Sequence, residues 1–176
     1  MDELKELDAI EPIARKRIFD LFRRSLHIRH IDAGSCNACE SEIKLLTSPY
    51  YDVHRLGIFF TPTPRHADLL LVTGPVTRAM AAPLRRAYEA MPDPKLVVAV
   101  GACACSGGIF GPSAFSVGPL DAVLPVDAYI PGCPPAPNTL IHGLLLALDR
   151  AEPRLLAASY HVGAGDYEPR AEGLRP

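Results

Sequence analysis

The 176-residue chain has no excess of positive charge: 18 Lys and Arg against 20 Asp and Glu leave a formal net charge of −2. Binding nucleic acid requires a basic surface to neutralise phosphates, so a nucleic-acid interface is not expected. No run reaches the ~18 apolar residues of a membrane span, and a protein that is soluble, or held at a membrane only through partners, is expected. The first residues carry no apolar segment of the secretory type, and the five cysteines are an odd number. Both argue against a secreted disulfide framework and for thiolate chemistry or metal ligation in a reducing compartment. A dinucleotide fingerprint and a P-loop are also missing, so the chain is expected to bind no nucleotide. Charged residues are only 22% of the chain against 48% hydrophobic, which excludes disorder as the default and allows one domain with a real core.

Proline, by contrast, is plentiful. The 18 prolines are about double the usual ~5% usage, and many stand beside glycine or cysteine. Loops stiffened in this way hold something in place.

Along the chain, residues 1–25 read as an amphipathic helical segment. Leu4, Leu7, Ile10, Ile13, Ile18, Leu21 and Phe22 recur at near-helical spacing, with Pro12 interrupting them. Arg15, Lys16, Arg17, Arg23 and Arg24 make its second half basic, which suits a membrane surface, a membrane-bound partner or an ordinary solvated helix face. From residue 26 the pattern becomes strand, turn, helix, repeated. Strands are expected over 26–31, 53–60, 67–73, 95–100 and 126–130. Helices are expected over 40–47, 78–90 with Thr77 as cap, and 138–150 with Asn138 as cap. Residues 104–125, rich in Gly, Pro and Ser, read as a long irregular loop, and 151–176 as a polar C-terminal extension. Alternation of this kind predicts a three-layer, flavodoxin-like α/β domain over 26–150, with a parallel sheet and helices on both faces. Right-handed crossovers place every strand's C-terminal end on one edge.

The cysteines follow those ends. Cys36 and Cys39 come after the first strand, Cys103 and Cys105 after the fourth, and Cys133 after the fifth. Open α/β sheets bind ligands at this edge. Four thiolates from three loops suit a [4Fe–4S] cube, which takes one cysteine per iron. Glycines 34, 101, 107, 108 and 132 let backbone N–H groups approach cluster sulfurs, and nearby helix N-termini favour its negative charge. Three other readings compete: a structural zinc site, although zinc ligands usually come as two close pairs; a thioredoxin-like C-x-x-C dithiol; and plain buried thiols. Spacing alone does not say whether Cys103 or Cys105 is the ligand.

Gly34-Ser-Cys36-Asn-Ala-Cys39-Glu40, Pro64-Arg-His-Ala-Asp68, Gly101-Ala-Cys103, Ser106-Gly-Gly-Ile-Phe110 and Pro131-Gly-Cys133-Pro-Pro135 together resemble the 20 kDa (B-type) subunit of respiratory complex I. The set is also similar to the small subunits of group 4 membrane-bound [NiFe] hydrogenases and formate hydrogenlyases. The resemblance covers about residues 26–150. It implies that Cys36, Cys39, Cys103 and Cys133 ligate one [4Fe–4S] cluster and that Cys105 is a local departure. Complex I subunits usually carry adjacent cysteines in the first motif, whereas Cys36 and Cys39 form C-x-x-C as in the hydrogenases. The implied role is electron transfer between a ferredoxin-like iron–sulfur subunit and a large catalytic subunit of the [NiFe]-hydrogenase or complex I 49 kDa type. Membrane-arm partners would hold the chain peripherally at the cytoplasmic side. The resemblance leaves two alternatives: complex I itself, with the cluster beside a quinone site, and a non-redox zinc module.

Other polar residues rank lower. Glu40 and Glu42 suit proton relays near the site, or equally first-turn carboxylates favoured by a helix dipole. His66 and Asp68 read as turn-fixing residues, and Arg65 and Arg78 as partner contacts or ordinary surface arginines. His27, His30, His54, His142 and His161 show no ligand spacing.

Overall fold

The computed structural model describes residues 2–159, with side chains from 8 to 149. Helix α1 spans Asp2–Phe22 and leads into strand β1, Leu26–Asp32. Helix α2 (Ala38–Leu45), strand β2 (Ile58–Phe60), strand β3 (Leu69–Thr73) and the short strand β4 (Val76–Thr77) follow. Next come helix α3 (Arg78–Glu89), strand β5 (Leu96–Val100) and helix α4 (Gly101–Ser106). Strand β6 (Ser116–Gly118), strand β7 (Ala128–Ile130) and helix α5 (Pro137–Ser159) complete the order.

Five strands form one parallel sheet in the order β2-β1-β3-β5-β7. Counted by sheet position, that is the 2-1-3-4-5 order of the flavodoxin-like arrangement, whose switch point lies between the first and third strands. The sheet is covered on both sides because its central strands, β3 and β5, are buried at every position. In β3, Leu69 and Leu71 join one core with Ile18 of α1, Ile43 of α2 and Leu140 and Leu144 of α5. Leu70 and Val72 point the other way, into a second core with Leu84 of α3 and Ala104 of α4. β5 divides likewise, with Leu96, Val98 and Val100 on the first face and Val97 and Ala99 on the second. Two dry faces built from one period-2 run make the three layers.

Four local expectations are corrected. The strand expected over 53–60 is only β2, because Val53–Leu56 coils into a 3₁₀ turn bounded by Asp52 (φ 42°) and Gly57 (φ 82°). A turn of three residues brings Val53 and Leu56 to one side, and both are fully buried. Residues 104–125 are not one irregular loop: α4 runs to Ser106, and β6 pairs antiparallel with β4. Pro12 does not interrupt α1. Helix α5 continues past residue 150 to Ser159, and residues 160–176 of the expected extension lie outside the described residues.

Candidate metal centre

Each cysteine loop leaves the C-terminal edge of the sheet with its own local fastening. After β1, Asp32 Oδ1 accepts the N–H groups of Gly34 (2.8 Å) and Ser35 (2.7 Å), which curls the chain toward Cys36. Burial works to raise the Asp32 pKa, but the donors at Ser35 and Gly34 hold it below its usual value. Ser35 Oγ then accepts Asn37 N–H (3.2 Å), and Asn37, in the left-handed region at φ 68°, starts α2. Cys39 therefore sits in the first turn of α2 and Cys36 in the loop before it.

β5 runs directly into α4, which carries Cys103. The first turn of α4 is tied to the third loop: Ala102 N–H donates to Gly132 C=O at 2.7 Å, one residue before Cys133. Glycine is required at the meeting of the loops. A Cβ on Gly101 (φ 84°) would lie 2.6 Å from Cys39 Sγ, and one on Gly108 would lie 2.9 Å from Cys103 Sγ. Backbone without a side chain thus closes on two of the sulfurs.

All five cysteines are free thiols; Cys36 and Cys133 are exposed, the others half-buried. Burial, then the charges of Glu40, Cys103, Cys36 and Cys133, push the Cys39 thiol up to about 11. Cys103 is raised by burial and then by Cys133 and Cys36. Thiolate charge at Cys36 or Cys133 thus opposes ionisation of both Cys39 and Cys103. A cationic metal centre reverses that opposition. Among the described residues no group of three or more His, Cys, Asp or Glu side chains closes on a single ion. Cys105 faces the sheet instead: its Sγ donates to the carbonyls of Ala99 and Ile130, each at 3.6 Å, and burial raises its pKa.

Glu40 is buried, and its surroundings were not legible from spacing. Thr73 Oγ1, at the end of β3, donates to Glu40 Oε1, and His30 Nε2 lies 3.0 Å from the same hydroxyl. Glu40 Oε2 is buried without a hydrogen-bond partner. Desolvation lowers the His30 pKa, against the raising influence of Glu40 and Asp32. No bond or ion pair joins Glu42 to this group among the described residues. Asp68 is structural: buried at the start of β3, it accepts Arg24 Nη2 at 2.6 Å and His27 N–H at 2.9 Å. His66 and Arg65 are exposed, Arg78 donates to Ser113 C=O, and His54 stacks on Phe59. His161 lies outside the described residues.

With this geometry in place, the likeness to known proteins is informative. A family described as NADH ubiquinone oxidoreductase, 20 Kd subunit, matches residues 36–147. The probable membrane-bound hydrogenase subunit mbhJ of Pyrococcus furiosus is 46% identical over 138 residues, 77% of this chain and 83% of that one. Formate hydrogenlyase subunit 7 of Escherichia coli K12 is 47% identical over 135 residues, 77% of this chain but only 53% of that one. A chain in the structure of the membrane-bound sulfane sulfur reductase, an archaeal respiratory membrane complex, superposes with TM-score 0.66 at 36% identity. That match covers 78% of this chain and 77% of the other.

Proposed function

The chain belongs to the 20 kDa subunit family of NADH:ubiquinone oxidoreductase and hydrogenases, and from that premise we propose that it is the iron–sulfur electron-transfer subunit of a membrane-associated, [NiFe]-hydrogenase-type complex. Cys36, Cys39, Cys103 and Cys133 hold one [4Fe–4S] cluster, and Cys105 stays outside the ligand set. When bound, the cluster supplies reversible one-electron transfer. The observation that carries the reading is the convergence of the loops after β1, β5 and β7 at one sheet edge, where Gly101 packs against Cys39 Sγ and Ala102 N–H bonds Gly132 C=O.

The chain's own share is ligation and tuning. Gly101 and Gly108 admit the close packing against sulfur, and the Asp32 turn presets the loop that carries Cys36. A ferredoxin-like subunit and a large catalytic subunit are the electron partners, the latter docking where Ile109 (93% exposed), Phe110 (58%) and Phe115 (84%) project from the segment after Cys103. Among the described residues no helix is long and apolar enough to cross a membrane, so attachment runs through membrane-arm partners, on the cytoplasmic side.

Two observations favour neighbouring readings of the same electron-transfer role. The matched family carries the complex I description, and the sulfane sulfur reductase chain is a structural relative. Anaerobic purification of the tagged protein with its co-purifying subunits separates them. We expect four irons per chain, a reversible EPR signal on reduction, stoichiometric nickel and hydrogen-dependent dye reduction. Flavin with quinone reduction and no nickel would move the chain to complex I; sulfane sulfur reduction without nickel, to the reductase. Zinc in place of iron would overturn the cluster.

A further inference from the structure

A second site lies beside the cysteine edge, on the outer side of β1. A cavity of about 360 Å³ opens between the C-terminal ends of β1 and β2 and the side of α2. Arg29 and His30 contribute from β1, Lys44 from α2, and Phe60 and Thr61 from the end of β2. Arg29 and Lys44 have no carboxylate partner among the described residues. Arg29 Nε is buried with no hydrogen-bond acceptor, and a buried donor left in that state carries its full desolvation penalty. Three arginines on and just after α1 contrast with it: Arg15 pairs with Glu11, Arg17 with Asp149 and Arg24 with Asp68.

We propose that this cavity binds a phosphate group, with Arg29 and Lys44 as its cationic walls. The guanidinium offers a planar fork matched to two oxygens of one anion, and the ammonium adds a point charge with three donors. Two unpaired cations match a phosphate dianion better than a single carboxylate. Thr61 brings a hydroxyl, and Phe60 and Ile43 provide an apolar wall. The carboxylates nearest to His30 do not compete for the space. Glu40 accepts from Thr73 and Asp32 from the Gly34 and Ser35 backbone, and neither lines the cavity. Free phosphate and a phospholipid headgroup share this chemistry, the apolar wall serving an acyl chain in the second case. Nothing in the site depends on the cysteines being loaded.

The test uses the protein with its co-purifying subunits, in buffer free of other oxyanions. Equilibrium dialysis against radiolabelled inorganic phosphate is expected to show one saturable site per complex, weakened roughly tenfold or more in Arg29→Gln and in Lys44→Gln. Lys44 is exposed on α2, so its variant keeps the test valid if the Arg29 change impairs folding. Phospholipid phosphorus is assayed in parallel after exhaustive detergent exchange. One retained phospholipid lost in both variants identifies a headgroup as the ligand. Saturable phosphate with no retained lipid identifies the free anion. Binding unchanged by both substitutions, or neither ligand bound by the unsubstituted protein, overturns the proposal.

Discussion

Gly101 and Gly57 share a left-handed backbone, φ 84° and 82°, but not a neighbourhood. A Cβ on Gly101 meets Cys39 Sγ at 2.6 Å, whereas one on Gly57 meets nothing within 4 Å. Alanine at either position incurs the backbone strain, about 1 kcal/mol. Only Gly101→Ala should also displace the sulfur of Cys39, one of the four proposed ligands. Iron per chain after anaerobic purification is therefore expected to fall sharply in Gly101→Ala and to stay full in Gly57→Ala, with both showing a lowered melting temperature. Equal iron in the two would mean that the contact with sulfur does not govern the site. The Cys39 thiol supports a second prediction. Its pKa rises from an ordinary 9.0 to about 11, chiefly through burial. In the iron-free protein the folded state keeps this proton where the unfolded chain has lost it. That contribution to stability is whole below about pH 9 and is lost as pH climbs toward 11. Ligation removes the same proton, so reconstitution with iron and sulfide should speed up between pH 7 and 9. A pH-independent rate, with Cys39→Ala unfolding at the same alkaline pH as the parent, would contradict both signs.

Among the elements, the start of β3 is fastened to the start of β1 by one buried carboxylate. Asp68 takes Arg24 Nη2 and His27 N–H, while its own backbone N–H donates to His27 C=O. Asp68→Asn keeps the shape and removes the charge. With Arg24 about half exposed, solvent screens part of the loss, and about 1–2 kcal/mol of stability should go, read by chemical denaturation. The same scale shows what the chain's pattern discloses. β3 and β5 are unbroken apolar runs, β7 is short but ends in Pro131-Gly132-Cys133, and Thr77 caps α3 through Met80 N–H at 3.3 Å. Such signals are local, and they were legible. The 3₁₀ turn at Val53–Leu56 was not, because Val53, Leu56, Ile58 and Phe60 fit a strand's alternation nearly as well, and Gly57 alone marks the break. Nor was the β4–β6 pair, two residues against three, which depends on contacts across 40 positions such as Ser116 Oγ to Val76 C=O. At the site, strand order explains why three cysteine loops share an edge. Thr73 and His30 around Glu40 had no such signal, since the residues that meet there are 33 and 43 positions apart.

The molecule as a whole has one edge that is chemically unlike the rest. The sheet and its two cores bury nearly every large apolar side chain on β1, β3 and β5, yet Ile109, Phe110 and Phe115 stand out in water beside the Cys103 helix. Three large apolar side chains grouped within seven residues are unusual on a free surface and common at the centre of an interface. Arg78 braces this segment from below by donating to Ser113 C=O, at 3.3 Å from Nε and 3.1 Å from Nη2, so its position is set before any partner arrives. Docking of a large catalytic subunit here would shield the exposed Cys36 and Cys133 at the same stroke and exclude water from the electron path. If so, Ile109→Asp and Phe115→Asp should cut recovery of that subunit in co-purification by roughly tenfold or more, as burying an unpaired carboxylate requires. Iron content and melting temperature of the chain itself should stay near those of the parent, because neither side chain touches the core. Full recovery of the large subunit from the doubly substituted protein would place the interface elsewhere on the sheet edge. Loss of iron together with the partner would show that the segment supports the metal centre rather than the contact.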